Sequence, residues 1–188
     1  MIGFLAMAAF IVITGLVLWF FPDYDILNYG YATLDSFFSL APLLFLFIIP
    51  AITMKLFSEE KQMGTIEWVY TKPISDKEIL LGKFFASLFL IFIALLPTLI
   101  YYFSVYQLGY PKGNIDTGGV IGSYFGLFLL SSVFCSIGLF CSSMTSNQIV
   151  AFILAAVFSA FFFWGFDLLA NFPFFEGNLD HFIKNIGI

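Results

Sequence analysis

Five long apolar segments constrain the fold of this chain more than any other feature. About 20 helical residues cross a hydrocarbon core of about 30 Å, and five stretches reach that length, at residues 2–21, 35–56, 79–103, 120–141 and 149–170. Inside lipid every backbone amide and carbonyl must be paired within the protein, which a helix achieves on its own. The sequence therefore predicts an all-α, polytopic integral membrane protein, with residues 1–188 forming one transmembrane domain.

The composition narrows the possible classes of function. Hydrophobic residues make up 61% of the chain and charged residues 10%, which is too little charge for a soluble domain and leaves no basic surface for nucleic acid. The sequence lacks a G-x-x-x-x-G-K-[ST] loop for nucleotide phosphates. His181 is the single histidine, without sequence partners for a metal site or a Ser-His pair. We predict no catalytic, cofactor or metal site, and we interpret Asp167 as a residue near the outer end of the fifth span.

The lysines indicate how the chain is oriented in the membrane. Five of the seven lie at positions 55, 61, 72, 77 and 83, and the chain has no arginine. Lysines are retained in short loops on the cytoplasmic side of a bilayer. The loop at 57–78 is therefore predicted to face the cytoplasm, together with the amino terminus, and the tail at 171–188 is predicted to be external. The chain is therefore expected to be a multi-pass protein of a membrane that borders the cytoplasm.

A capping box and three prolines indicate where helices start and where they are irregular. Ser75 and Glu78 form a Ser-x-x-Glu capping box directly before an apolar run, which predicts a helix start at this position. Pro42, Pro50 and Pro97 lie inside the predicted spans. Because neighbouring helices can satisfy the backbone groups that a proline frees, we expect these prolines to kink the spans rather than end them.

The loop at 57–78 contains the pattern of a short helix. Thr65 follows a glycine and can serve as its N-cap, and Glu67 lies in the first turn, where the helix dipole favours a negative charge. Pro73 is expected to end the helix, because the residue before a proline is disfavoured in helical geometry. Ile66, Val69 and Tyr70 would then share one face, with Trp68 beside it.

Two interpretations of this short helix differ in what the apolar face contacts. In the first, the aromatic residues lie among lipid headgroups at the membrane surface. In the second, the helix docks on another protein. Glu59, Glu60 and Glu67 favour the second interpretation, because acidic residues suit a basic groove better than an anionic leaflet.

Several segments carry a resemblance to a known family. The motifs FSEEK at 57–61, GTIE at 64–67, TKPIS at 71–75 and GK at 82–83 resemble the loop between the second and third spans of ABC-2 type transporter permeases. Four further segments are YGYATLD at 29–35, PAITM at 50–54, GNID at 113–116 and NQIVAFIL at 147–154. They resemble the gliding-motility-associated permease subunits of ABC transporters, the GldF family, and the resemblance extends over nearly the whole chain.

This resemblance implies partners and a coupling site. The segment at 64–73 would be a coupling helix that sits in a groove of a separate ABC ATP-binding subunit, so that ATP is bound and hydrolysed outside this chain. A second permease chain, identical or different, and an auxiliary gliding membrane protein would complete the assembly. Members usually have a surface helix before the first span and six spans, of which this chain would contain five. The residues implied in ATPase coupling are Glu59, Glu60, Gly64, Thr65, Ile66, Glu67, Trp68, Tyr70 and Pro73.

Two other classes of function stay open on the sequence. A scaffold or assembly subunit of a bacterial envelope complex would share the membrane fold but have no transport cycle. An ATP-independent channel would need charged or polar side chains in the middle of its spans, where this chain offers mostly Ser, Thr and Gly.

Overall fold

The chain forms a bundle of helices. The computed structural model describes residues 2–21, 32–71, 73–110 and 112–170, and this part of the chain contains helices and no strands. The helices are α1 (Ile2–Phe20), α2 (Asp35–Thr53), α3 (Lys55–Gln62), α4 (Ile66–Tyr70), α5 (Asp76–Leu95), α6 (Leu99–Leu108), α7 (Thr117–Met144) and α8 (Gln148–Ala170). The predicted tail at 171–188, with His181, and the side chain of Asp167 lie outside the described residues.

Within the described residues, five helical stretches are long and apolar enough to span a membrane. They are Gly3–Phe20, Asp35–Gln62, Asp76–Leu108, Thr117–Met144 and Gln148–Gly165. The prediction of an all-α, polytopic membrane protein with five spans is therefore confirmed by length and composition. The second stretch combines α2 and α3, so helical structure continues well into the segment that the sequence assigned to the 57–78 loop.

The core of the bundle lies where α2 and α7 pack against each other, with α1, α5 and α8 around them. Phe37, Phe45 and Ile49 of α2 and Phe134 of α7 are almost fully buried. The ring of Phe10 on α1 packs on Phe45 with 5.4 Å between ring centroids. Between helices in lipid, close van der Waals packing of this kind supplies most of the association energy.

The α-helical pattern of the third span is interrupted at residues 96–98, around Pro97, and the span continues as α6. The residues around the proline form i→i−3 backbone hydrogen bonds, from Thr98 to Leu95 and from Leu99 to Leu96, both 3.2 Å long. The Thr98 hydroxyl donates to the Leu95 carbonyl at 2.7 Å and lies 3.1 Å from the Tyr124 hydroxyl on α7. Tight-turn hydrogen bonds and the Thr98 hydroxyl thus replace part of the regular i→i−4 pattern beside Pro97, which has no backbone N–H.

The start of α5 is the one that the sequence predicts. The backbone N–H of Ser75 donates to the Glu78 carboxylate at 2.9 Å, and the Ser75 hydroxyl donates to the same carboxylate oxygen at 2.9 Å. This is the reciprocal half of a capping box, and it confirms the prediction of a helix start after Ser75.

Both polar connections at 54–75 and 145–147 lie at one end of the bundle. The Gln148 side-chain amide donates to the side-chain oxygen of Gln62 at 3.4 Å, which joins the start of α8 to the end of α3. The opposite end contains the start of α7, where the Asp116 side chain accepts a hydrogen bond of 3.1 Å from the Gly119 amide as an N-cap. The lysine-rich segment and the α7–α8 connection therefore share one face of the bundle.

Candidate partner-docking site

A left-handed glycine separates α3 from α4. Gly64 has a φ of +68°, and its N–H donates to the Lys61 carbonyl at 3.3 Å. The Thr65 hydroxyl donates to the Glu60 carbonyl at 3.4 Å. Carbonyls in the last turn of α3 are satisfied in this way, as in the glycine-terminated ends that are common in helices. Gly64 therefore ends α3, a role that the sequence analysis did not assign to it.

The predicted short helix is present as α4, which spans Ile66–Tyr70. Thr65 precedes it at the N-cap position, although its hydroxyl bonds backwards to α3. The Trp68 amide donates to the Thr65 carbonyl at 3.1 Å, and the Thr71 amide donates to the Glu67 carbonyl at 3.2 Å. The Thr71 hydroxyl adds a 2.8 Å bond to the Trp68 carbonyl. The helix ends before Pro73, which is exposed.

The surface of α4 carries an exposed indole. Trp68 has 77% of its surface accessible, Glu67 is exposed and Ile66 is half-buried. The side chains of Val69 and Tyr70 lie outside the described residues. A large aromatic side chain at a polar end of a membrane protein suits either burial against a partner protein or a place among lipid headgroups.

The three acidic residues of the predicted site have different surroundings. Glu59 pairs with Lys55 at 3.7 Å, one turn away on α3. Glu60 pairs with Lys83 of α5, and both side chains are largely buried. Glu67 lies on α4, away from these two ion pairs. Glu60 therefore holds two elements of the bundle together, and Glu67 is the acid presented beside Trp68.

Ser142 of α7 joins α3 to the bundle core. Its hydroxyl accepts hydrogen bonds from the backbone N–H groups of Phe57 at 3.1 Å and Ser58 at 3.2 Å, and it donates to the Met54 carbonyl at 2.8 Å. The helical path is interrupted at Met54, so the first amides of α3 have no partner in the preceding turn. A side chain from another helix thus caps α3, and the Ser58 hydroxyl also donates to Met54.

Two lysines make further connections between α3 and neighbouring helices. The Lys83 ammonium donates to the Leu56 carbonyl as well as to Glu60, and it lies 4.0 Å from the centre of the Phe57 ring. The Lys61 ammonium donates to the Ser143 carbonyl at the end of α7. Together with Ser142, these contacts make α3 a rigid arm that carries α4.

The sequence analysis missed the residues that hold this arm. Ser142 looks in sequence like one of several small polar residues in an apolar span, and its hydrogen-bond partners lie 84 to 88 positions earlier. Lys83 was quoted in a family motif without a structural role. The signal that could have found it is its position within the apolar run of α5, where a lysine needs a partner.

A comparison with family models agrees with this architecture. The model described as "ABC-2 family transporter protein" matches residues 21–177, which is more than half of the chain. No curated protein matches the chain, and no solved structure matches it. In this family the transmembrane chain is a non-catalytic subunit, and ATP is hydrolysed in partner subunits. The chain belongs to the ABC-2 transporter family and is a multi-pass transmembrane subunit of the permease type.

Proposed function

We propose that this chain is the permease subunit of an ATP-driven ABC-2 transporter and that α3, α4 and the following loop couple it to a separate ATP-binding subunit. The observation that carries the proposal is the exposed Trp68 on a short helix at the end of a braced arm. ATP is bound by the partner, and this chain converts the partner's movement into a rearrangement of its spans.

The contacts of the arm support a route for this movement. A displacement of α4 acts on α3 through the glycine turn at Gly64. From α3 it reaches α7 through Ser142 and α5 through Lys83, while α2 is joined covalently at Met54. Three of the five spans are therefore connected to the arm that carries the docking helix, and packed helices transmit such a displacement because their interfaces do not deform continuously.

The chemistry of the docking surface favours a basic, partly apolar groove on the partner. Trp68 supplies a large apolar area that gains from burial, and Glu67 adds a charge that steers a basic surface towards it. The same acid opposes adsorption to an anionic leaflet. The proposed coupling residues are Glu59, Glu60, Gly64, Thr65, Ile66, Glu67, Trp68, Tyr70 and Pro73.

The proposal includes an orientation and an assembly. The lysines at the α3–α4 end of the bundle support a cytoplasmic location for that end, with the amino terminus on the same side of a bacterial plasma membrane. A second permease chain would pair with this one. The resemblance of the segments at 29–35, 50–54, 113–116 and 147–154 to gliding-motility-associated permeases supports a role in gliding motility and an auxiliary gliding membrane protein as a further partner.

A photo-crosslinking experiment tests the docking step. A photoreactive phenylalanine analogue at position 68, in native membranes, is expected to capture a protein with a G-x-x-x-x-G-K-[ST] phosphate loop. The same analogue at Met63, which is 62% exposed but outside the proposed coupling residues, is the matched control and should capture much less. Capture of lipid alone at position 68, or labelling of this position from the external side, would reject the docking assignment.

A second measurement separates docking from transport. Trp68→Ala and Glu67→Lys are expected to lower the amount of co-purified ATP-binding subunit about tenfold or more, as for central interface residues, whereas Met63→Ala leaves it unchanged. The ATP-binding subunit should hydrolyse ATP faster in complex with the wild-type permease than on its own. A stable complex whose ATP turnover is indifferent to the permease would indicate a scaffold subunit instead.

A further inference from the structure

A groove between α5 and α7 opens on the outer surface of the bundle, near the end that carries α3 and α4. It encloses about 450 Å³. Its walls are formed by Leu80, Leu81 and Phe84 of α5 and by Ser136, Leu139 and Phe140 of α7. Phe84 follows Leu80 and Leu81 by four and three positions, and Leu139 and Phe140 follow Ser136 by three and four, so each helix presents one continuous face to the groove. The groove lies along the membrane-spanning part of both helices.

Two lysines stand at the polar mouth of this groove. Lys77 precedes Leu80, Leu81 and Phe84 by three, four and seven positions, which puts it on the same face of α5, one turn closer to the end of the bundle. Lys61 donates to the carbonyl of Ser143, and Ser143 lines the groove. An ammonium group has three donors, so this bond leaves two N–H groups of Lys61 for a ligand.

The other charges of this end are already used or point elsewhere. In the described part of the chain, the two ion pairs are Lys55–Glu59 and Lys83–Glu60, and neither includes Lys61 or Lys77. Glu78 neighbours Lys77 in sequence, but at about 100° per residue it lies on another side of α5, and its carboxylate accepts from Ser75. Asp76 is the exception, because it precedes Leu80 by four positions and lies at the edge of the groove face. With Lys61, Lys77 and Asp76 together, the mouth of the groove keeps a net positive charge.

We infer that this groove binds an anionic glycerophospholipid from the surrounding leaflet. One acyl chain lies between α5 and α7, and the phosphate of the headgroup lies between the ammonium groups of Lys61 and Lys77. The combination of an apolar slot along the spans with two cationic groups at its interfacial end matches the chemistry of such a lipid. The inference does not depend on the proposed docking of α4, because the groove and its lysines lie outside the proposed coupling residues.

The groove of about 450 Å³ suits an extended acyl chain. An α-helix with its side chains is about 10 Å across. An extended acyl chain is much narrower.

Native mass spectrometry of the purified chain provides the test. We would titrate the protein with phosphatidylglycerol and with phosphatidylcholine of the same acyl composition. Phosphatidylglycerol is expected to bind more tightly. Lys77→Gln and Lys61→Gln should each raise its Kd about fivefold, since a basic residue near an anionic lipid surface contributes a free energy of that order. Lys55→Gln, which makes the same charge change at the same end of the bundle, is the control and should leave the Kd unchanged.

A second variant tests the acyl-chain position. Ser136 is exposed within the groove and its hydroxyl bonds only locally, to the Ser132 carbonyl at 2.9 Å. Ser136→Trp should fill the slot and weaken the binding of both lipids without changing the melting temperature. Equal affinity for the two lipids, or an equal loss in Lys55→Gln and Lys77→Gln, would overturn the inference.

Photolabelling distinguishes lipid from protein as the occupant. Phosphatidylglycerol with a photoreactive group in its acyl chain is expected to label the peptides that contain Phe84 and Leu139. The Ser136→Trp variant should lose this labelling. Labelling of α1 alone, or crosslinks between two copies of the chain from a photoreactive residue at position 84, would contradict a lipid in the groove.

Discussion

A Cβ atom on Gly138 of α7 would lie 2.8 Å from Cβ of Thr53 on α2, and closer still to Oγ1 of Thr53. The two helices are therefore too close at this point to leave room for a side chain at position 138. Thr53 is fully buried, and its hydroxyl donates to the Ile49 carbonyl at 2.9 Å. The contact lies one residue before Met54, where the helical path is interrupted. It therefore fixes the position of α2 directly beneath the arm that carries α4.

Gly138→Ala is expected to destabilise the folded protein by about 1–3 kcal/mol, because overpacking a tight contact forces backbone or rotamer shifts. Thermal unfolding can be followed with a thiol-reactive dye, since both cysteines are buried and unbonded. Gly126→Ala, in the same helix, is the control. A Cβ at Gly126 meets no atom within 4 Å, so an equal loss of stability in both variants would contradict the packing argument.

Ser142→Ala should release the first turn of α3. The variant loses the acceptor for the amides of Phe57 and Ser58 and the donor to the Met54 carbonyl. The Met54 carbonyl keeps the Ser58 hydroxyl as a donor, but leaving the two amides unpaired costs about 1–3 kcal/mol. Hydrogen exchange at the Phe57 and Ser58 amides is therefore expected to accelerate, and melting to occur at a lower temperature.

Ser136→Ala serves as the control for this change, because the Ser136 hydroxyl bonds only to the Ser132 carbonyl of its own helix. It should leave the exchange of both α3 amides as in the wild type. If Ser142→Ala also left their exchange unchanged, the amides would have another partner and the cap would not hold α3.

The sequence predicted those elements whose signals are local. A span is visible because about 20 consecutive residues share one property, and the start of α5 is visible because Ser75 and Glu78 are three residues apart. The short helix α4 was predictable for the same reason, because Thr65, Glu67 and Pro73 are close together in the sequence. The family assignment followed from short motifs of this local kind.

The joints between helices were not predictable in this way. Ser142, Gly138 and Lys83 act on partners far away in the chain, and nothing in a single sequence distinguishes a serine that caps another helix from one that bonds its own preceding turn. Gly64 shows a related difficulty. The sequence did not predict that helical structure would continue from the second span to residue 62, so Gly64 was interpreted as the residue before α4 and not as the residue that ends α3. The short helix α4 was therefore predicted, and the arm that supports it was not.

The pair of Lys83 and Glu60 should contribute more to stability than an exposed ion pair. Its side chains are 16% and 29% exposed, and Lys83 also contacts the Leu56 carbonyl and the Phe57 ring. A double-mutant cycle with Lys83→Met and Glu60→Gln is expected to give a coupling energy above the ~0.2–1 kcal/mol that exposed pairs reach.

The pair of Lys55 and Glu59 provides the comparison within the same segment. These residues are 3.7 Å apart on one helix and are 31% and 36% exposed, so the corresponding cycle with Lys55→Met and Glu59→Gln should give about 0.3–0.5 kcal/mol. Coupling energies of equal size would mean that Lys83 does not bind α5 to α3, and α5 would then drop out of the proposed route from the docking helix.

Gly64 tests whether the direction of α4 depends on a left-handed backbone. With φ at +68° and no atom within 4 Å of the point that a Cβ would occupy, a substitution here acts through backbone conformation alone. Gly64→Ala should cost about 1 kcal/mol, and Gly64→Val more, whereas Gly64→Asn should be nearly neutral because asparagine tolerates this region. Gly82→Ala in the middle of α5, also without a neighbour within 4 Å, is the control and should not lose stability.

The stimulation of ATP turnover by the permease should decrease from Gly64 to Gly64→Asn, Gly64→Ala and Gly64→Val, because a strained turn changes the direction in which Trp68 points. If Gly64→Val retained both the melting temperature and the coupled ATP turnover of the wild type, the turn would not set the position of the docking helix.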